Sequence, residues 1–214
     1  MLKTNLVNQI YDLIVKKIIN SDLKMGEKII ISSIAKEYNV SPTPVREALN
    51  KLTKEGLVEN IPNVGNFVFK LNQNDIEEIL YIRELLESSS LKYTIIEEDK
   101  LIFKKLLHDF YELKHEKDQL EIRKRFHTLD TTLHLLIIKS TSNSRLLEMY
   151  KRIFNILFVF ILKIHHSDEF YGQNFDHCIG LLKSIIDKDY IGAKRFLEIH
   201  FSYTRNSLKS YFNT

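Results

Sequence analysis

The sequence has little of the residues that interrupt helices or cross-link chains, with six glycines, three prolines and one cysteine among 214 residues. Few glycines and prolines favour long helices over a turn-rich β fold. The single cysteine, Cys178, excludes a disulfide within the chain and fits a reducing compartment. No basic segment followed by an apolar one stands at the N-terminus, and the most apolar stretch, 153–164, is shorter than the about 20 residues that span a bilayer. We therefore expect a soluble, cytoplasmic protein without a membrane partner.

The positive charge of the chain is concentrated near its N-terminus. Residues 1–70 carry ten lysines and arginines against seven acidic residues, whereas residues 71–214 carry 21 of each. All eight histidines lie in the second part. The excess positive charge therefore belongs to the N-terminal segment, as expected if that segment contacts phosphates.

The first 71 residues predict three helices followed by a β-hairpin. Apolar spacing indicates a first helix that ends near Ser21, and an extended piece follows it at 28–31. Ser32 is expected to cap a short second helix. Ser41 is expected to cap a third helix, which carries prolines in its first turn and stops at Gly56. Two strands, at 57–61 and 66–71, enclose the turn of the hairpin.

From Asn72 onward the apolar pattern is helical throughout, and breaks in it indicate about six helices. There is no internal repeat and no low-complexity tract. We therefore predict a mainly α protein with an N-terminal winged helix-turn-helix domain at 1–71 and an all-α helical bundle at 72–214.

The order of the N-terminal elements is that of a winged helix-turn-helix, whose third helix enters the major groove of DNA. Hydroxyls at the start of this helix suit phosphate contacts, and Arg46 can grip guanine through two hydrogen bonds. Gly65 in the wing lets the backbone approach DNA closely. A module that binds only protein remains an alternative at this point. The residues expected at the DNA are Ser41, Thr43 and Arg46 on the helix and Asn63, Gly65 and Asn66 in the wing.

The spacing of Asp130 and His134 places both side chains on one side of a helix. A carboxylate and imidazoles suit Zn, Ni, Mn or Fe, and His177 and His200 could join them from facing helices of a bundle. A solvated carboxylate–histidine pair explains the same spacing. Cys178 is expected to point away from His177 and to be a core thiol, because neighbours in a helix do not face each other.

The other histidines have simpler interpretations. His108 and His115 fall on a charged helix and are expected in solvent, whereas His127, about two turns before His134, could reach its pocket. His165 and His166 are expected to close a helix, where positive charge is favourable.

The N-terminal pattern resembles the head of the GntR family of bacterial regulators. The resemblance runs across 6–70, and Arg46 matches an arginine that contacts operator bases in this family. Ser32 and Pro42 stand where some members carry further DNA-contacting arginines. The motifs that carry the resemblance are VSPTPVREAL at 40–49, EGLV at 55–58 and GNFV at 65–68.

Residues 72–212 resemble the helical FCD effector-binding domain, and a body of six helices favours its VanR-like branch. The matching motifs are RELLE at 83–87, DTTLH at 130–134 with Leu133 where phenylalanine is usual, the later Asn143, and HCI at 177–179. In metal-binding members the corresponding positions supply one aspartate and three histidines. The resemblance therefore implies a metal site whose ligands are Asp130, His134, His177 and His200.

The resemblance implies a homodimeric transcriptional regulator, usually a repressor, that binds double-stranded operator DNA. Four protein ligands leave two positions of a six-coordinate ion, which a carboxylate effector could fill. Arg83 is a candidate second contact to the effector, with an ion pair to Glu87 as the alternative. Asn143 could orient the effector, and closing a helix start is the alternative for it. A metal-dependent hydrolase and a regulator with a purely structural metal are the other functions to weigh.

Overall fold

The computed structural model describes residues 2–97, 99–163 and 168–212, and its N-terminal part has the predicted order of elements. The predicted third helix and its stop at Gly56 are confirmed, and the hairpin strands are shorter than expected. The elements are α1 (Leu2–Ile19), β1 (Lys28–Ile29), α2 (Ile31–Glu37), α3 (Pro42–Lys54), β2 (Val58–Ile61) and β3 (Gly65–Val68).

Beyond β3 the described residues form helices only, which confirms the predicted mainly α class. They contain the six helices that the sequence indicated. These are α4 (Gln73–Ile96), α5 (Leu101–Lys114), α6 (Gln119–Lys139), α7 (Ser144–Lys163), α8 (Asp168–Ile186) and α9 (Tyr190–Phe212). Among the described residues, no helix is both long and apolar enough to cross a membrane. His165 and His166 lie outside the described residues.

The chain forms two compact units, and α7 contributes to both. The first unit, called the head, contains the elements up to Asn72 together with the part of α7 from Lys151 onward. The second, called the body, contains residues 73–150 together with α8 and α9.

The core of the head lies between α1 and α3, which pack against each other. The apolar stripe predicted for the third helix is the face that is buried. The buried side chains are Ile10, Ile14 and Ile18 on α1 and Val45, Ala48, Leu49 and Leu52 on α3. Burial of each large aliphatic side chain stabilises the fold by about 1.5–3 kcal/mol.

The wing is a three-stranded antiparallel sheet in the order β1-β3-β2. Asn60 lies opposite Asn66, and its side-chain amide donates to Asn66 Oδ1 at 2.7 Å. Asn63 in the turn has a φ of 62°, a left-handed conformation that asparagine tolerates better than most residues. The hairpin therefore closes with the turn that the sequence predicted.

Two predicted helix starts need correction. The second helix begins at Ile31, and Ser32 lies inside it, because the carbonyl of Ile30 accepts the first helical hydrogen bond from Ile34 directly after β1. Ser41 occupies the N-cap position of α3, but its side chain makes no capping hydrogen bond. The missing N–H groups of the prolines at this helix start reduce the need for one.

The end of α3 is a Schellman motif. The N–H of Leu57 donates to the carbonyl of Leu52 at 2.9 Å, and the N–H of Gly56 donates to the carbonyl of Thr53 at 3.1 Å. Gly56 has a φ of +79°, and a Cβ there would lie 2.6 Å from Cδ1 of Ile156 in the part of α7 that belongs to the head. The left-handed backbone therefore favours glycine at this position, and a side chain there would also displace the end of Ile156.

In the body, four helices surround one interior region. Helix α9 packs against α4 and α8, and α6 also packs against these two helices. Helix α5 packs against α6 and α8. The inward faces of α4, α6, α8 and α9 carry the polar residues described below.

We expect Gly56→Ala to destabilise the protein by about 1 kcal/mol or more, because alanine is strained at positive φ and its methyl would collide with Ile156. Gly172 is the matched control, since it lies in α8 with nothing within 4 Å of an added Cβ. Gly172→Ala should stabilise by about 0.5–1 kcal/mol, the gain of alanine over glycine in a helix. Urea denaturation followed by circular dichroism measures both. An unchanged midpoint for Gly56→Ala would contradict the described contact.

Candidate functional site

The head carries a cleft of about 490 Å³ between the start of α3 and the wing. Lys28, Ser32, Arg46 and Asn66 are among its lining residues. Two cationic side chains and two short polar ones therefore border one concave surface. This composition suits a phosphate backbone together with the polar edges of bases.

The residues predicted to meet DNA lie on this side of the head. Ser41, Thr43 and Arg46 are exposed in the first turns of α3. In the wing, Asn63 is exposed at the turn, and Gly65 and Asn66 are half-buried at the start of β3. Arg46, Gly65 and Asn66 line the same cleft, so the structure brings part of the helix set and part of the wing set together.

The body brings three of the four predicted metal ligands into direct contact. Oδ1 of Asp130 lies 3.5 Å from Nε2 of His134 and 3.6 Å from Nε2 of His200. The two Nε2 atoms are 3.2 Å apart. Helix α6 presents Asp130 and His134 one turn apart, and α9 supplies His200. One oxygen and two nitrogens thus converge on a point between two helices.

These separations fit the donor set of one metal ion. Donors that each lie about 2.1 Å from an ion are about 3.0 Å apart at octahedral angles and about 3.4 Å apart at tetrahedral angles. The observed distances, 3.2–3.6 Å, run from within this range to slightly above it, so the donors are close to the spacing that one ion requires. Asp130 and His134 are therefore not a solvated pair on the surface, the alternative that their spacing left open. They form an interior cluster with His200.

His177, the fourth predicted ligand, stands beside this cluster. Its ring contacts the ring of His200 edge-on, with centroids 6.4 Å apart, and also contacts Tyr203. Nδ1 of His177 is buried and has no hydrogen-bond partner among the described residues. A buried ring nitrogen without a partner is costly, so a further ligand or group would stabilise it.

A buried ion-pair network supports the cluster from α4. Glu87 is 0% exposed and accepts hydrogen bonds from Arg83 at 3.1 Å, from the Tyr150 hydroxyl at 2.5 Å and from Nδ1 of His134. Because Glu87 holds Nδ1 of His134, the opposite nitrogen, Nε2, faces Asp130 and His200. This is the carboxylate–histidine arrangement that orients imidazole ligands in metal sites.

The two histidines of the cluster differ in charge. For His134, burial lowers the pKa, but the carboxylates of Glu87 and Asp130 outweigh burial and raise the pKa to about 9. For His200, burial lowers the pKa to about 3. Burial alone would raise the pKa of Asp130, but the adjacent His134 holds it well below its usual range. At neutral pH the cluster therefore contains an imidazolium, a neutral imidazole and a carboxylate.

Cys178 is buried, as expected of a core thiol, but it also contacts the cluster, which the sequence did not predict. Its Sγ lies 3.4 Å from Oδ1 of Asp130 and 4.0 Å from Nδ1 of His200. Asp130, Cys178 and His200 each offer a ligand atom, and these atoms lie within 4.8 Å of one another. Burial and the neighbouring carboxylate raise the pKa of the thiol well above its ordinary value.

The two predicted effector contacts have structural partners. Arg83 is 3% exposed and forms the ion pair with Glu87 that the sequence left open as an alternative. Asn143 accepts a hydrogen bond at Oδ1 from the N–H of Leu146 and so caps α7. Its contact with an effector, like that of Arg83, stays a prediction.

Other polar candidates have local partners. His127 is buried, and its Nε2 lies 3.2 Å from the Tyr171 hydroxyl. Burial lowers the pKa of His127, and the charge of Asp130 opposes this shift. His108 pairs with Glu112 in solvent, as expected. The sequence did not predict the contacts of Glu87 with His134 and Tyr150 or the contact of Cys178 with Asp130, because these contacts join different helices. The only sequence signal for Glu87 was its spacing of one helical turn from the oppositely charged Arg83.

Comparison with known proteins agrees with this architecture. Residues 6–68 match the family described as bacterial regulatory proteins, gntR family, and residues 78–203 match the FCD domain. The HTH-type transcriptional regulator YdhC of Bacillus subtilis (strain 168) is 27% identical over 94% of this chain and 90% of its own. A Paenarthrobacter nicotinovorans protein, named as a transcriptional repressor of a D-xylose utilization operon, is 28% identical over 78% of this chain and 72% of its own.

Among solved structures, a GntR regulator from Rhodococcus sp. RHA1 has the same fold. Its TM-score is 0.76 at 17% identity, with 95% of this chain and 97% of that chain covered. Because the FCD match alone spans more than half of the chain and the gntR match covers the head, the chain belongs to the GntR family of bacterial transcriptional regulators, in the group whose helical body is an FCD domain.

Proposed function

We propose that the protein is a transcriptional repressor whose DNA binding responds to a small carboxylate bound at a metal ion in the body. The observation that carries this proposal is the interior cluster of Asp130, His134 and His200, whose donor atoms lie 3.2–3.6 Å apart. Repression is supported by relatives such as the D-xylose operon protein, which is named a repressor. A hydrolase is not proposed, because both matched families are regulators.

The head would bind operator DNA through α3 and the wing. Arg46 is exposed near the start of α3, where a bidentate contact to guanine is possible. Ser41 and Thr43, which precede it, are exposed for phosphate contacts. The wing would contact the neighbouring DNA backbone through Asn63, Gly65 and Asn66. A near-palindromic operator would require two copies of the head, so we propose a homodimer.

The body would hold a divalent ion, Zn, Ni, Mn or Fe, through Asp130, His134, His177 and His200. When bound, such an ion supplies positive charge and positions for oxygen donors of an effector. Glu87 would keep Nε2 of His134 directed at the site. His177, whose Nδ1 is buried without a described partner, would gain one. The body of six helices supports assignment to the VanR-like branch.

The effector would complete its contacts through Arg83 and Asn143. Since Arg83 is paired with Glu87 inside the body, a carboxylate that bound Arg83 would compete with Glu87 for the guanidinium. Effector binding would then change the network that holds His134 and Tyr150. A ligand alters DNA binding only through its different affinities for the DNA-binding and released states.

We expect Arg46→Ala to weaken operator binding by about 1–3 kcal/mol, because it removes a bidentate base contact. Arg195→Ala is the matched control, since it removes an equal charge from an exposed position in the body. Binding is measured by fluorescence anisotropy at one salt concentration, with metal content determined on the same samples. Equal affinity for Arg46→Ala and the wild type would refute the assignment of α3 as the reading helix.

His134→Ala and His200→Ala should each lose the bound ion, because each removes one of three converging donors. His108→Ala is the control, since His108 is exposed and pairs only with Glu112 in the described structure. The readout is elemental analysis after dialysis against a chelator and reloading with one equivalent of Zn. Retention of a full equivalent by either cluster variant would overturn the proposed site.

Metal-loaded protein should gain further thermal stability from its effector and change its affinity for operator DNA. A ligand at 100 times its Kd stabilises the folded state by about 2.7 kcal/mol. The probes are small mono- and dicarboxylates, together with any acid that co-purifies with the protein. Stabilisation by the metal, with no carboxylate adding to it or altering DNA binding, would show a purely structural ion.

A further inference from the structure

Cys178 lies in the same interior cluster as the proposed metal ligands, although the sequence motif for the ligands does not include it. Its Sγ is 3.4 Å from Oδ1 of Asp130, the oxygen that also faces Nε2 of His134 and Nε2 of His200. Donors at about 2.1 and 2.3 Å from one ion, the usual lengths for oxygen and sulfur, are about 3.1–3.6 Å apart. The distance between sulfur and carboxylate is therefore that of two ligands of one ion.

The surroundings of Cys178 also point to a ligand. The thiol is buried, and the carboxylate and imidazole nearest to it are themselves metal-binding groups. On the preceding residue of α8, Nδ1 of His177 is buried with no hydrogen-bond partner among the described residues, and its ring contacts His200. Two consecutive residues of α8 thus contact the cluster, Cys178 at Asp130 and His177 at His200.

We propose that Cys178 is a thiolate ligand of the ion, bound beside the carboxylate of Asp130, whose Oδ1 lies 3.4 Å from Sγ. The inference rests on the proposed metal-dependent function and deepens it by naming the class of ion. On binding, the S–H bond breaks, a bond between sulfur and the ion forms, and the proton leaves to solvent. A thiolate favours borderline and soft cations such as Zn over hard ones such as Mn. The site would therefore select Zn-like ions against Mn and Mg.

The alternative role of Cys178 is a neutral thiol that donates a hydrogen bond to Asp130 and orients it. Both roles explain the distance of 3.4 Å, but only the first forms a bond between sulfur and the ion. The chain contains one cysteine, so any thiolate–metal signal from the full-length protein can come only from Cys178 or from a second copy of it.

The test uses Co²⁺ as a spectroscopic substitute for Zn²⁺ in the full-length protein, after chelator treatment and under anaerobic conditions. We expect one bound equivalent and a near-ultraviolet thiolate-to-cobalt charge-transfer absorption. Cys178→Ser should lose this absorption and keep visible cobalt bands from the remaining ligands. His108→Ala, a change on the exposed face of α5, should leave the spectrum unchanged. Circular dichroism checks the fold of each variant.

The outcomes separate the inference from the proposed function. One bound equivalent of Co²⁺ without charge-transfer absorption in the wild type would overturn the thiolate ligand and leave the metal-dependent regulator standing. Absence of any bound Co²⁺ or Zn²⁺ in the wild type would overturn both. The wild-type spectrum decides between these outcomes even if Cys178→Ser does not fold.

Discussion

The burial of the Glu87 carboxylate is the constraint on which the interior of the body depends. An ionised carboxylate in a protein interior is costly unless charged and hydrogen-bonded partners surround it. Arg83, Tyr150 and His134 are those partners, and they come from three different helices. Removal of one partner of a buried ion pair typically costs about 3–5 kcal/mol. The network therefore fixes how α4, α6 and the start of α7 meet.

The same carboxylate sets the chemistry of the candidate site. A histidine that donates from Nδ1 to a carboxylate can present only Nε2 to its other neighbours. In this body the contact with Glu87 consequently directs Nε2 of His134 at Asp130 and His200. The contact between Glu87 and His134 thus stabilises the fold and also orients Nε2 of His134 as a metal donor. Any effector that competes for Arg83 would act on both.

The features that the sequence predicted well have local causes. The end of α3 follows from glycine at a left-handed position, and the pairing of Asp130 with His134 follows from one helical turn. Ser32 was misplaced because α2 starts directly after β1, where a backbone carbonyl replaces a side-chain cap. Cys178 was misplaced for a geometric reason. Consecutive residues point about 100° apart on a helix. The cluster is wide enough for both His177 and Cys178 to contact it, at His200 and at Asp130.

The remaining features could not be predicted, because they join residues far apart in the chain. Glu87 meets His134 across 47 positions and Tyr150 across 63, and neither pair has a spacing rule. Electrostatics explains why these residues belong together. Glu87 and Asp130 place two negative charges in one interior region, and Arg83 balances only one of them. A proton on His134 supplies the second positive charge. The proposed divalent ion would displace that proton and compensate the negative charge instead. When His134 is neutral, the negative charge left uncompensated favours a cation at the point where the three donors converge.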